Sequence, residues 1–172
     1  MDLSEQDLKK IKSLHVMLKM PIWILERETN RVLKSYKSIY KHPISYEFKE
    51  KNISDEVVQF YSGMLNEIFL CLWYQDVRIV IGAFRINNVT STEFSHVYDN
   101  LTPENKKILS EKECWEYYSS LPVYPLGDIR DYLILLGFLF DMNLEEIYSE
   151  ELHKQVGENQ LELVRKSAED TA

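Results

Sequence analysis

Residues 67–86, Glu-Ile-Phe-Leu-Cys-Leu-Trp-Tyr-Gln-Asp-Val-Arg-Ile-Val-Ile-Gly-Ala-Phe-Arg-Ile, constrain the fold more than any other stretch. Two runs of apolar, aromatic and β-branched residues flank a short polar break at Gln75-Asp76, the pattern of two strands joined by a tight turn. The turn lacks an Asn-Gly or Asp-Gly pair, so its type stays open. The first run, Ile68 to Tyr74, carries no charged side chain on either face, and the return run carries only Arg78 before Arg85. A strand that is apolar on both faces must be covered on both. Helices, a partner chain or a ligand can each supply that cover, and the choice among them is the functional question.

At 172 residues the chain is long enough for one domain with a sizeable core plus an extension. Its 45% hydrophobic content, with only five Gly and five Pro, excludes a low-complexity or disordered chain. Two cysteines, Cys71 and Cys114, give no disulfide or metal framework and fit a reducing cytoplasm. The N-terminus does not read as a signal peptide. The longest apolar run, Tyr132 to Phe140, is far below the roughly 20 residues that cross a bilayer, so no membrane partner is expected.

Charge is uneven. Residues 1–60 carry 11 basic against 9 acidic side chains, residues 61–142 carry 6 against 11, and residues 143–172 carry 3 against 8. Nucleic-acid binding draws its affinity from a basic surface that neutralises phosphates. No such stripe is present in a chain of net charge −8, which is expected to repel DNA.

Along the chain, Ser4 with Asp7 three positions on predicts a capped helix, and Leu8, Ile11, Leu14 and Leu18 form its apolar stripe. His15 lies beside that stripe as a boundary residue. Pro21 stops the helix, Ile22 to Leu25 reads as a strand, residues 26–30 as a polar turn and Arg31 to Tyr36 as the return strand. Lys37 to Ser54 shows no period and is read as an extended edge, a lid or a surface excursion. Ser54-Asp55-Glu56 predicts a helix to about Asn66 ahead of the central hairpin. Helices are expected from Thr90 to Asn100 and, with Pro at its first position, from Thr102 to Ser120. Leu121 to Gly127 is then an extended link between packing units. Asp128 caps an apolar helix from Ile129 to about Met142. Its nearly all-round hydrophobicity predicts burial in a sheet face or a dimer interface, with Ile129, Leu133, Leu136 and Phe140 as the contact residues. From Asn143 the chain becomes an acidic helical linker and tail, so the expected division is a sensor-like domain over 1–142 and a linker over 143–172.

Candidate chemistry is sparse. Cys71 sits mid-strand among aromatics and Cys114 beside Glu113, neither setting that of a nucleophile. The four histidines are scattered without i, i+4 pairing, so neither a metal nor a cofactor is expected. Gly-rich phosphate loops and Gly-x-Ser-x-Gly are missing, and catalysis is not expected. The aromatics carry more information. Trp23, Phe69, Trp73 and Phe84 fall on strands, and residues 69, 71 and 73 share one face by the period of two. Trp23, Phe69, Cys71, Trp73 and Phe84 are the expected lining of a small-molecule site, with Arg78 or Arg85 fixing the ligand's polar end. Plain core packing is the alternative.

Leu14-His15-Val16-Met17-Leu18-Lys19-Met20-Pro21-Ile22-Trp23-Ile24-Leu25, Ile81-Gly82-Ala83-Phe84 and Tyr117-Tyr118-Ser119-Ser120-Leu121-Pro122-Val123 carry a resemblance. With the helix, strand, turn, strand, hairpin order, residues 8–155 are similar to the N-terminal halves of AraC/XylS-type transcription regulators of Gram-positive surface-protein and pilus genes, including the YSIRK-associated group. The resemblance implies an α+β fold, GAF- or PAS-like, with an antiparallel sheet from two hairpins, flanking helices and a C-terminal helical linker. It implies a cytoplasmic homodimer that senses a small-molecule effector and reaches DNA only through a separate C-terminal helix-turn-helix half. A ligand-free protein–protein interaction or dimerisation module is the rival expectation.

Overall fold

In the computed structural model, which describes residues 3–37 and 58–142, the first helix begins where its capping residues place it. Helix α1 (Glu5–Leu18) is capped by Ser4, whose Oγ accepts from the Asp7 amide at 3.1 Å while the Asp7 carboxylate accepts from the Ser4 amide. Lys19 turns left-handed at φ 55 and ends the helix. His15 sits at this boundary, its Nδ1 2.7 Å from the Met20 carbonyl, and the ring stacks on Tyr36. Asp7 also accepts a hydrogen bond at 3.0 Å from Tyr74, tying the start of α1 to the sheet. Burial works to raise the Asp7 pKa, but the bonds from Ser4 and Tyr74, with Lys10 nearby, outweigh it and leave it below the ordinary value. Ionised Asp7 therefore stabilises the fold at neutral pH, and that contribution is lost as pH falls through its depressed folded value. Asp7→Ala is expected to cost about 1–3 kcal/mol at neutral pH. The gap between variant and parent in urea titrations should narrow as pH is taken below the usual carboxylate range.

Strands β1 (Ile22–Glu26) and β2 (Val32–Tyr36) form the first hairpin. Its turn uses Asn30 at φ 56 and is closed by the Glu26 amide donating to the Arg31 carbonyl at 2.8 Å. Strands β3 (Val58–Ser62), β4 (Ile68–Tyr74) and β5 (Val77–Phe84) form an antiparallel meander. The five strands make one antiparallel sheet in the order β2-β1-β5-β4-β3. The helix expected from Ser54 to about Asn66 is replaced, over its described part, by β3 and the turn that follows it at 63–66. Val58 and Phe60 alternate with half-buried Gln59, and that period of two outweighs the cap-like Ser54-Asp55-Glu56, which lies outside the described residues. The proposed lid over 37–54 also falls outside them, apart from Lys37.

Four further helices follow: α2 (Ser91–Asp99), α3 (Pro103–Ile108), α4 (Glu111–Ser120) and α5 (Leu126–Leu139). Helix α2 matches its expectation, with Thr90 and Glu93 forming a reciprocal cap. The helix expected from Thr102 to Ser120 is two helices. Leu109 is extended at φ −120, and Ser110 then caps α4 by accepting from the Glu113 amide at 3.1 Å. Helix α5 starts at Leu126, not after Asp128, with Pro125 as its cap and the Pro125 carbonyl accepting from Ile129.

Both faces of the central strands are covered by helices of the chain itself. Ile11, Leu14 and Leu18 of α1 and Ile129, Leu133 and Leu136 of α5 pack on the face formed by Ile22, Ile24, Leu70, Leu72, Ile79 and Ile81. Phe94 and Val97 of α2 and Cys114, Tyr117 and Tyr118 of α4 pack on the opposite face, over Leu25, Phe69, Cys71, Val80 and Ala83. The segment Leu121–Pro125 carries the chain between the two layers and is held to the sheet there. The Arg85 amide donates to the Pro122 carbonyl at 2.8 Å, and the Tyr124 amide donates to the Arg85 carbonyl at 2.7 Å.

Candidate ligand-binding site

The period of two along β4 puts Phe69, Cys71 and Trp73 on the α2–α4 face, and the register extends that face across the sheet. Cys71 stands opposite Val80, and Trp73 opposite Arg78; on the other side of β5, Trp23 stands opposite Val80 and Leu25 opposite Arg78. The face has two unlike ends. At one, Phe69 and Cys71 are filled over by the α2–α4 layer, where the Phe94 ring packs at a tilt against Trp115 and Tyr118 with ring centres 5.3 and 4.9 Å away. Burial pushes the Cys71 thiol up to about 12 although Arg78 acts to lower it, and burial followed by Glu113 also raises Cys114. Both are neutral thiols at physiological pH.

At the other end Trp73 is buried, 9% exposed. Its ring carries two guanidinium groups, with Arg78 3.9 Å and Arg27 4.7 Å from the ring centre. Such cation–π contacts each stabilise by about 0.5–2 kcal/mol, more when withdrawn from water. Arg78 is 4% exposed and donates from Nη1 to Asn30 Oδ1 at 2.9 Å. Arg27 is exposed at the rim. Trp23 is half-buried on the same face, 6.3 Å from Phe69 between ring centres. This end is an amphipathic corner of one indole, that of Trp73, and two arginines, whereas Trp23 lies one row away in register with Cys71 and packs with the α2–α4 layer.

Five of the seven expected ligand residues, Trp23, Phe69, Cys71, Trp73 and Arg78, thus share a face; Phe84 and Arg85 do not join them. The β4–β5 register shifts between Ile68 and Phe69, so that Gly82 stands opposite Phe69 and Phe84 opposite Ile68. The extra residue turns Ala83 toward the α2–α4 layer and Phe84 toward α5, where it meets Tyr124 at 5.8 Å. The cavity beside Phe84, bounded by Leu18, Leu70, Ile129 and Leu136, measures about 20 Å³. That is room for about one water molecule and not for an organic ligand. Arg85 is occupied structurally: Nε and Nη2 donate to the Leu121 carbonyl at 3.3 and 3.0 Å, Nη2 also reaches the Ser119 carbonyl, and the group lies 5.3 Å from the Tyr118 ring centre. A cation on these carbonyls caps the end of α4.

Ile129, Leu133, Leu136 and Phe140, expected on a sheet face or at a dimer interface, are buried against the chain's own sheet, with Phe140 4.8 Å from Tyr74 between ring centres. The side of α5 facing solvent carries Ile134 and Phe138, 42% and 82% exposed. Arg27 and Asn30 were missed because they lie in the polar turn of the sequence. Counting by two from Trp23 through Leu25 reaches Arg27, a signal that was present. Among the described residues no group of three His, Cys, Asp or Glu could hold a metal ion, and no helix is long and apolar enough to cross a membrane. No family model matches the chain, and neither a curated protein nor a solved structure matches it.

Proposed function

We propose that the chain is the effector-sensing, regulatory domain of an AraC-type transcription factor of a Gram-positive bacterium, controlling surface or virulence genes. In this reading it is a GAF/PAS-like, non-catalytic module that works in the cytoplasm as a homodimer. It reaches DNA through a helix-turn-helix half that the acidic 143–172 stretch would join. The observation that supports the sensor reading is the Trp73 corner, where one indole and two guanidinium groups meet on the sheet face opposite α1 and α5. Small-molecule sites combine apolar walls with a few fixed polar groups in this way. Strand β5 links the corner to the rest of the molecule, because Arg78 begins it and Arg85, just beyond its end, grips Pro122 and Tyr124 ahead of α5. An effector shifts such a domain only as far as it binds two arrangements with different affinity.

Native mass spectra of the purified 172-residue chain, paired with denatured spectra of the same sample, test this. A dimer carrying an extra small-molecule mass is the expected result. A bare monomer, together with full regulator activity after deletion of residues 1–140, would overturn it. One observation favours a second reading, a ligand-free dimerisation module: the outward exposure of Phe138 and Ile134 on α5. A bare dimer that Phe138→Ser dissociates would favour that module.

A further inference from the structure

We propose that the cleft between the first turns of α2 and α4 binds a free α-amino acid with an apolar side chain. Glu111 takes its ammonium, Lys112 its carboxylate and Trp115 its side chain. The cleft measures about 430 Å³ and is lined by Ser91, Phe94, Ser95, Glu111, Lys112 and Trp115 among others. That volume lies within the range of small-molecule sites. The cleft shares no residue with the Trp73 corner, so the inference goes beyond the sensor reading and does not depend on it.

Two hydrogen bonds hold the walls of the cleft together. Tyr98 Oη on α2 donates to the Leu109 carbonyl at 2.7 Å, just ahead of α4, and Ser95 Oγ donates to Glu111 Oε1. The second bond steadies the Glu111 carboxylate at the cleft and leaves Oε2 to accept from a ligand. Lys112 follows Glu111 directly, and neighbours on a helix point about 100° apart, so the two charges reach the cleft without facing each other. Both side chains are exposed, and among the described residues neither makes an ion pair. Opposite charges kept apart in one small cleft match a ligand that itself carries both. Buried Phe94 and half-buried Trp115 supply the apolar floor, their ring centres 5.3 Å apart, and Tyr118 lies against Trp115 at 6.5 Å. An indole supported in this way offers flat surface to an aromatic or branched side chain. A simple anion leaves Glu111 unmatched, a simple cation leaves Lys112 unmatched, and an uncharged ring leaves both.

L-Phenylalanine and L-leucine are the probes, titrated into the intact chain beside two analogues that each lack one charge: phenethylamine, without the carboxylate, and 3-phenylpropanoate, without the ammonium. The readout is the indole N–H signals of the three tryptophans by NMR, with Trp115 assigned through Trp115→Phe. At least one amino acid is expected to shift the Trp115 signal saturably, and for phenylalanine each analogue should bind about tenfold more weakly, the loss of one charge-assisted hydrogen bond. Glu111→Gln keeps an acceptor for Ser95 and should erase the advantage of phenylalanine over 3-phenylpropanoate while preserving its advantage over phenethylamine. Lys112→Gln should do the converse. Both positions are exposed, so the thermal midpoint of either variant should match the parent. This crossed pattern follows from charge recognition and not from a structural role. No saturable shift at Trp115 with either amino acid, a shift confined to Trp23 or Trp73, equal binding of either analogue, or indifference to both substitutions would each overturn the proposal.

Discussion

Gly82→Ala is expected to destabilise the fold by about 2–5 kcal/mol, enough to consume much of the stability of a domain this size. Gly82 has φ 154, a conformation that L side chains rarely adopt. A Cβ placed there would meet Phe69 Cδ1 at 2.7 Å, the Ile68 carbonyl oxygen at 3.0 Å and Phe69 Cα at 3.1 Å. Two of those three atoms are backbone of the neighbouring strand and cannot swing aside. The ring of Phe69 is fully buried, so it has nowhere to turn. The effect should appear as a lowered urea midpoint with an unchanged slope. A midpoint within experimental error of the parent would mean that the β4–β5 bulge relaxes far more easily than its packing suggests.

Leu133→Ala is expected to cost about 2–5 kcal/mol, whereas Phe138→Ser should change monomer stability by no more than about 0.5 kcal/mol. Both residues lie on α5, but Leu133 is 1% exposed against the sheet and Phe138 is 82% exposed. Thermal unfolding at low protein concentration separates the pair. If Leu133→Ala altered only the oligomeric state, α5 would have to leave the sheet, contrary to its packing. If Phe138→Ser instead lowered stability as much as Leu133→Ala, its side chain would have to be covered in solution.

Where local signals were strong, the sequence was sufficient. Ser4 and Asp7 define α1, Thr90 and Glu93 define α2, and the two continuous apolar runs, Ile68–Tyr74 and Val77–Phe84, define the central hairpin. Each is a feature that its own neighbours determine. The failures arise where tertiary pairing decides. The apolar alternation at Val58 and Phe60 is too short to decide between helix and strand by itself, and pairing along the edge of β4 makes it a strand. Period counting alone cannot detect the extra residue that turns Phe84 away from Phe69, because a bulge changes register without changing composition. Arg85 resembles a ligand-binding cation until the Ser119 and Leu121 carbonyls are brought to it from more than thirty positions away. The all-round apolarity of α5 likewise identified a buried helix without saying which of its sides faces the sheet.

The strand order has a consequence for how the polypeptide is made. β1 finds one neighbour, β2, almost at once, but its other neighbour, β5, lies more than fifty residues further along. A ribosome emitting the chain from its N-terminus therefore releases the first hairpin with Ile24 and Leu25 unshielded on opposite faces, and it must add everything through Phe84 before the seam can close. Distant pairings of this kind are slow to form and leave apolar strand edges open while they wait. The nascent hairpin is the segment most exposed to wrong partners. Its own edge, β2, carries Lys34 and an αL-turned Asn30 beside it, charge and twist of the kind that discourage a stray strand from adding there.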